Sequence, residues 1–208
     1  FDSTSMAVHL LGVSPDGQNI NQGCGATDLS LLQQTVLHHS ADLGIAFDGD
    51  GDRLMLVDSR GHVVDGDQIL CLLALYSHQL QPLEGVVGTL MSNWGLEQAF
   101  KSRDIPFYRS AVGDRYVAEA LHDNDWLLGG ESSGHIIDRR LSTTGDGLMT
   151  AIQVLRVMVD TGQSLRELSG TMSKAPQVMI NVPLNQATFD IQQYPELQTE
   201  VAKLGDQL

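Results

Sequence analysis

The run Leu43-Gly-Ile-Ala-Phe47, followed by Asp48-Gly-Asp-Gly-Asp-Arg53, constrains this chain more than any other stretch. Five small or apolar residues predict a buried strand, which then delivers three aspartates at alternate positions with glycine between them. A strand continuing through the run places all three carboxylates on one face. A backbone that curls at the glycines instead lets them converge on a point. At about 4 Å and an effective dielectric of 20, each carboxylate pair repels by roughly 4 kcal/mol, so convergence calls for a cation. Oxygen ligands with no Cys or His among them suit Mg2+ or Ca2+ better than zinc.

Other readings compete for the same loop. Asp-Gly repeats also occur in solvated turns. An EF-hand needs Gly at its sixth loop position and Glu at its twelfth, but Arg53 and Ser59 stand there, so that reading fails. A strand ending in Asp-x-Asp also serves enzymes with an aspartyl nucleophile, here Asp48, in a magnesium-dependent phosphatase. The loop alone leaves that reading open.

The 208 residues are 42% hydrophobic and 18% charged, enough for one large or two small folded domains. A net charge of −14 with 12 Lys and Arg argues against nucleic acid or an anionic membrane as partner. Cys24 and Cys71 are too few for a disulfide framework, so a cytoplasmic location is expected. No apolar run reaches the length of a membrane span.

Along the chain, Met6–Val13 predicts a strand, and Asp28 the cap of a helix reaching His39. His38 and His39 are adjacent, so they cannot share a helix face and are read as surface residues. After the aspartates come a strand at Leu54–Val57, a turn at Ser59–His62 and the short strand Val63-Val64. A helix through Ile69–Tyr76 follows, capped by Asp65 or Asp67 and ended before Pro82. The pattern then restarts: strands at Val86–Leu90, Phe107-Tyr108 and Trp126–Leu128 alternate with helices after Asn93 and Gly113. Leu148, Ile152, Leu155 and Val159 form one stripe of a helix capped by Asp146, and Ser164 caps a shorter helix ending near Met172. A strand at Val178–Val182 and a polar helical tail complete the chain. The class predicted is α/β, with parallel sheets, helices on both faces and sites at the strand ends.

A second chemical candidate is the loop Gly129-Gly-Glu-Ser-Ser-Gly-His135. Its glycines free the backbone, Glu131 and Ser133 can bond sugar hydroxyls, and His135 can contact phosphate or move a proton. Alone, such a loop is more often an ordinary turn. Asp114 and Arg115 open a helix, where Asp114 can simply cap and Arg115 be solvated.

The order Phe47-Asp-Gly-Asp-Gly-Asp-Arg53, with Val64-Asp-Gly-Asp-Gln68 after it, closely resembles the metal loop of the phosphohexomutase superfamily, and within it the bacterial phosphoglucosamine mutases. The superfamily carries a Gly-Glu-x-Ser-Gly-His sugar loop, matched at Glu131, Ser133, Gly134 and His135. Val112-Gly-Asp-Arg-Tyr-Val117 looks like the glucosamine-type members, whereas mannose and glucose enzymes tend to carry His where Asp114 stands.

The resemblance implies that Asp48, Asp50 and Asp52 bind Mg2+, that His135 is catalytic, and that Glu131, Ser133, Asp114 and Arg115 bind a phosphorylated amino sugar. Arg53, also read as catalytic, either organises the metal carboxylates or reaches phosphate. It implies interconversion of glucosamine 6-phosphate and glucosamine 1-phosphate through a phosphoserine and a bisphosphate, and leaves a homodimer open. The family's phosphoserine stands in an Ala-Ser-His-Asn-Pro context, and Ser40, Ser77 and Ser142 have other neighbours. The family's Arg-x-Ser-Gly-Thr phosphate clamp has no counterpart either. An internal fragment is therefore expected, inactive alone and able at most to bind metal or sugar phosphate. Residues 1–81 then form the latter part of a metal-binding domain and residues 82–174 a sugar-recognition domain, both with mixed, mostly parallel sheets. Residues 175–208 open a further α+β domain.

Overall fold

Two apolar strands joined by the short aspartate loop must fold back on one another, because a parallel pair needs a crossover of a dozen or more residues. β1 (Leu43–Phe47) and β2 (Leu54–Asp58) accordingly pair antiparallel, Leu43 opposite Asp58 and Phe47 opposite Leu54. The turn at Ser59–His62 adds β3 (Val63–Val64), giving a sheet in the order β1-β2-β3. The computed structural model describes residues 6–180, 183 and 190–205. Helix α1 (Ser30–His39) packs on one face of this sheet at Gly44, where a side chain would strike Leu32 and Val36. Phe47, on the opposite face, meets the start of α5 (Gly147–Thr161).

Helix α2 (Gly66–Leu80) leads out of the first sheet. Ile69 to Ala74 are apolar on nearly every side and almost wholly buried, the pattern of a helix enclosed by other elements. It packs against β6 (Leu128–Gly130), α3 (Trp94–Lys101), α5 and α6 (Leu165–Ser169). Each fully buried Leu or Ile contributes about 1.5–3 kcal/mol, so this packing outweighs local propensity in fixing the helix. The second sheet has the order β5-β4-β6-β7, with β4 (Val86–Thr89) parallel to β5 (Phe107–Ser110) and β6. β7 (Ile136–Asp138) returns antiparallel to β6. Val86, Leu128 and Ile136 join the core around α2, whereas Val87 and Ile137 face α4 (Asp114–Asp123) through Val117 and Leu121. The class is α/β, with helices on both faces of the second sheet, as the alternating pattern predicts. The first sheet, expected to be mostly parallel, is antiparallel at both strand pairs because its strands are joined by connections too short for a parallel crossover.

Several elements differ from expectation. Met6–Val13 is not a strand: its residues are mostly exposed and join no ladder among the described residues. The Phe47 carbonyl at the end of β1 accepts from Ala26 N–H, so a turn of the Gly25 loop meets it and not a neighbouring strand. Val178–Ile180 likewise form no strand, since they are exposed and find no ladder partner among the described residues; Asn181 and Val182 lie outside those residues. α1 begins at Ser30 with Leu29 at the cap position, and Asp28 accepts from Ser30 N–H. β6 is shifted toward Gly130, and α6 ends at Ser169. On α5 the buried stripe is Gly147, Ala151, Val154 and Val157, while Leu148, Ile152 and Val159 are exposed. Two apolar stripes share this helix, and the one with smaller side chains approaches closely enough to pack.

Ala175 ends the first compact unit. In the second, from Pro176, a 3-10 turn (Ile191–Gln193) precedes α7 (Pro195–Gly205). Among the described residues, no helix is long and apolar enough to cross a membrane.

Asp65 caps α2 in a reciprocal capping box with Gln68. Asp67 is instead buried, and its Oδ2 accepts from Asn93 N–H at 2.7 Å, tying α2 to the cap of α3. Burial pushes its carboxyl above the ordinary carboxylate range, although the Asn93 bond opposes the shift. A raised folded pKa means the folded state holds this proton longer than the unfolded chain does. Asp67 therefore withdraws stability as pH rises from about 4 through the folded value. Asp67→Asn keeps an acceptor for Asn93 and removes the charge. Urea unfolding should show the variant gaining on the parent between acid and neutral pH, whereas an equal difference at both would contradict this.

Candidate functional site: two loops around three carboxylates

The loop between β1 and β2 curls at Gly51, which adopts φ +75° and donates its N–H to Asp48 carbonyl at 3.2 Å. Arg53 N–H closes it further on Asp48 Oδ1 at 3.1 Å. Asp48, Asp50 and Asp52 thereby converge, each offering an oxygen within 4.8 Å of the others. At that spacing each pair repels by about 3.5 kcal/mol at an effective dielectric of 20. Arg53 Nε lies 3.7 Å from Asp48 Oδ2 and 4.0 Å from Asp52 Oδ1, but one guanidinium cannot neutralise three carboxylates. Asp52 Oδ1 is buried without a hydrogen-bond partner among the described residues. An orphaned oxygen within an all-carboxylate donor set fits a hard divalent cation such as Mg2+.

The second loop turns from β6 into β7. Gly134 N–H donates to Glu131 carbonyl at 3.0 Å, and Glu131 N–H donates to His135 carbonyl at 3.0 Å. This loop is laid directly on the first. Leu54 N–H donates to Gly134 carbonyl at 3.0 Å, and Arg53 and His135 form an antiparallel bridge. Gly134 takes φ +95°, and a side chain there would collide with the Leu54 carbonyl. Gly66 N–H, at the start of α2, donates to Ser132 carbonyl at 3.1 Å. His135 is 3% exposed, with Nδ1 3.0 Å from Asp52 Oδ2.

Glu131 Oε1 accepts from Gly113 N–H at 3.0 Å, joining the loop to the start of α4. Asp114 and Arg115 are exposed on that first turn, and Arg115 Nε donates to Glu119 at 2.9 Å, one helical turn along. Ser133 is exposed at the loop tip. The fold thus brings Asp48, Asp50, Asp52, Arg53 and His135 together, and links Glu131 to the helix of Asp114 through one bond. The chain leaves β4 toward β5 and then crosses to β6 on the other side. Glu131 follows β6, beside the point where the strand order reverses, the usual place for ligands on open α/β sheets.

One contributor goes beyond the sequence reading. Gly145-Asp-Gly147 is legible in the sequence only as the cap of α5, yet Gly147 N–H donates to Gly51 carbonyl at 2.9 Å and braces the carboxylate loop from behind. Its likeness to the Asp-Gly pattern of the loop it braces is the available signal.

The sequence matches the family described as Phosphoglucomutase/phosphomannomutase, alpha/beta/alpha domain II over residues 6–61, and domain III of the same family over residues 65–206. The break between the two falls ahead of α2. Phosphoglucosamine mutase of Coxiella burnetii (strain Dugway 5J108-111) is 50% identical over 211 residues, covering 100% of this chain and 47% of that protein. Phosphoglucosamine mutase of Hydrogenovibrio crunogenus is 54% identical over 182 residues, covering 88% of this chain and 40% of that protein. The chain spans about half the length of the curated relatives it matches. Among solved structures, Aspergillus fumigatus N-acetylphosphoglucosamine mutase in complex with GlcNAc-6P and magnesium superposes with a TM-score of 0.70 at 19% identity. That match covers 90% of this chain and 49% of the other. With both of its sequence blocks matched and its fold shared, the chain belongs to the phosphoglucomutase/phosphomannomutase family.

Proposed function

We propose that these residues form the metal- and sugar-binding part of a phosphosugar mutase that interconverts glucosamine 6-phosphate and glucosamine 1-phosphate. The observation that supports it most is the convergence of Asp48, Asp50 and Asp52 against the Glu131–His135 loop. The relatives that share half of the sequence carry the corresponding name. In this reading the phosphoserine Oγ–P bond breaks as an O–P bond forms to the sugar, giving a bisphosphate. That intermediate turns over, and its other phosphoryl group returns to the serine. These residues do not include a serine in the expected setting, so alone they bind without turnover.

Phosphoryl transfer demands alignment and charge neutralisation more than covalent help from the protein. Asp48, Asp50 and Asp52 hold Mg2+, which when bound withdraws electron density from phosphoryl oxygen. Arg53, with its side chain 45% exposed beside the carboxylates, presents its remaining donors to phosphate. Glu131 and Ser133 receive sugar hydroxyls and fix the ring. Asp114 meets the amino group, and Arg115 meets phosphate by exchanging its bond to Glu119. The substrate is a phosphorylated amino sugar, and the setting is the cytoplasm. A phosphatase with Asp48 as nucleophile fits less well, since Asp48 Oδ1 is engaged by Arg53 N–H and Oδ2 faces the guanidinium.

Calorimetric titration of the chain with Mn2+ should give a binding signal that Asp50→Asn removes, and an unchanged signal in the variant would contradict the assignment. In the intact mutase, Glu131→Ala should lower turnover by a factor consistent with about 1–3 kcal/mol for an unpaired polar group, with the fold preserved. Parent-like kinetics would remove the loop from substrate recognition.

A further inference from the structure

The His135 imidazole is enclosed rather than presented. It is 3% exposed, and its Nε2 is buried with no hydrogen-bond partner among the described residues. On that side lies Gly145, where a side-chain carbon would collide with Nε2 and Cε1. The glycine is what leaves room for the ring. On its other side Nδ1 is 3.0 Å from Asp52 Oδ2. An ionised carboxylate only accepts, so the ring nitrogen facing it carries the hydrogen. The backbone of His135 is fixed as well, through the bridge to Arg53 and the bond from Glu131 N–H to its carbonyl.

A group that carries a proton to substrate needs a nitrogen that substrate or a water chain can reach. Nε2 is closed off from solvent and has no hydrogen-bonding neighbour among the described residues to relay through. The Nδ1 bond, in contrast, satisfies one oxygen of Asp52, while Oδ1, 4.0 Å from Arg53 Nε, has no hydrogen-bond partner among the described residues. From this arrangement we infer that His135 is a positioning residue: held between Gly145 and Asp52, it sets the Asp52 carboxylate for the cation. Because the same residue ends the Glu131–His135 loop, the loop that receives sugar and the loop that receives metal are oriented by one side chain. This rests on the proposed assignment of Asp48, Asp50 and Asp52 as cation ligands.

The test is calorimetric titration of the chain with Mn2+ across four variants, with circular dichroism as the check on folding. His135→Leu fills the space without a donor and should weaken Mn2+ binding by about tenfold or more, the usual effect of losing a group that orients a ligand. His135→Asn returns an N–H near the position of Nδ1 and should recover most of that loss. Gly145→Ala removes no donor but displaces the ring, and should weaken binding in the same direction. Mn2+ binding by His135→Leu within about twofold of the parent would overturn the inference, as would an Asn variant no better than Leu when both are folded. If the Leu variant does not fold, weakened binding must still appear in Gly145→Ala, and parent-like affinity there overturns the inference. Asp50→Asn separates the two ideas: binding that survives it overturns the ligand assignment itself, whereas binding lost there and unchanged in His135→Leu overturns only the role of His135.

Discussion

Mutual repulsion among three carboxylates held within 4.8 Å of one another is the constraint that the rest of this structure serves. A chain of net charge −14 has no general positive field to offset it. The loop therefore depends on local devices: Arg53 at its end, backbone bonds that close it, and neighbouring segments that prevent it from springing open. A short antiparallel hairpin suits this, because β1 and β2 hold both ends of the loop in register. A one-residue strand slip would turn each side chain of β1 to the opposite face and move the aspartates with it.

Two separate pieces of chain then close on the loop, the start of α5 and the Gly134-His135 end of the β6–β7 turn. Gly147 braces Gly51 from behind at the start of α5, Gly134 receives Leu54 N–H, and His135 bonds Asp52. In two of these places a glycine stands where a side chain would collide with backbone, at Gly134 against Leu54 and at Gly147 against Arg53 and Gly51. Such tight backbone approach fixes distances more firmly than long side chains do, and binding sites gain from supports of that kind. The same contacts make the second sheet part of the site, since β6 and β7 carry the loop that lies on β2.

Much of this is legible in the sequence because the chemistry and the local pattern coincide. The strand before Asp48 and a cap for α2 at Asp65 or Asp67 follow from residues close together in the chain, and the Glu131–His135 loop from its likeness to a family motif. What is not legible depends on partners distant in sequence. Met6–Val13 has the composition of a strand but lacks a ladder partner among the described residues, so composition misleads there. On α5, periodicity gives an apolar stripe at Leu148, Ile152 and Val159, but packing selects the one at Gly147, Ala151 and Val154 because it permits closer approach. His135 offers the same difficulty in the site. Its type suggests proton transfer, and only its enclosure by Gly145 and its bond to Asp52 show how it is held.

The most direct measurement is a crystal structure of the chain grown with Mn2+, with the ion located by anomalous scattering. One peak is expected among the Asp48, Asp50 and Asp52 carboxylates, with His135 still bonded through Nδ1 to Asp52 and still packed on Gly145. An ion seated elsewhere, or an imidazole turned out toward solvent with the ion in place, would contradict this expectation.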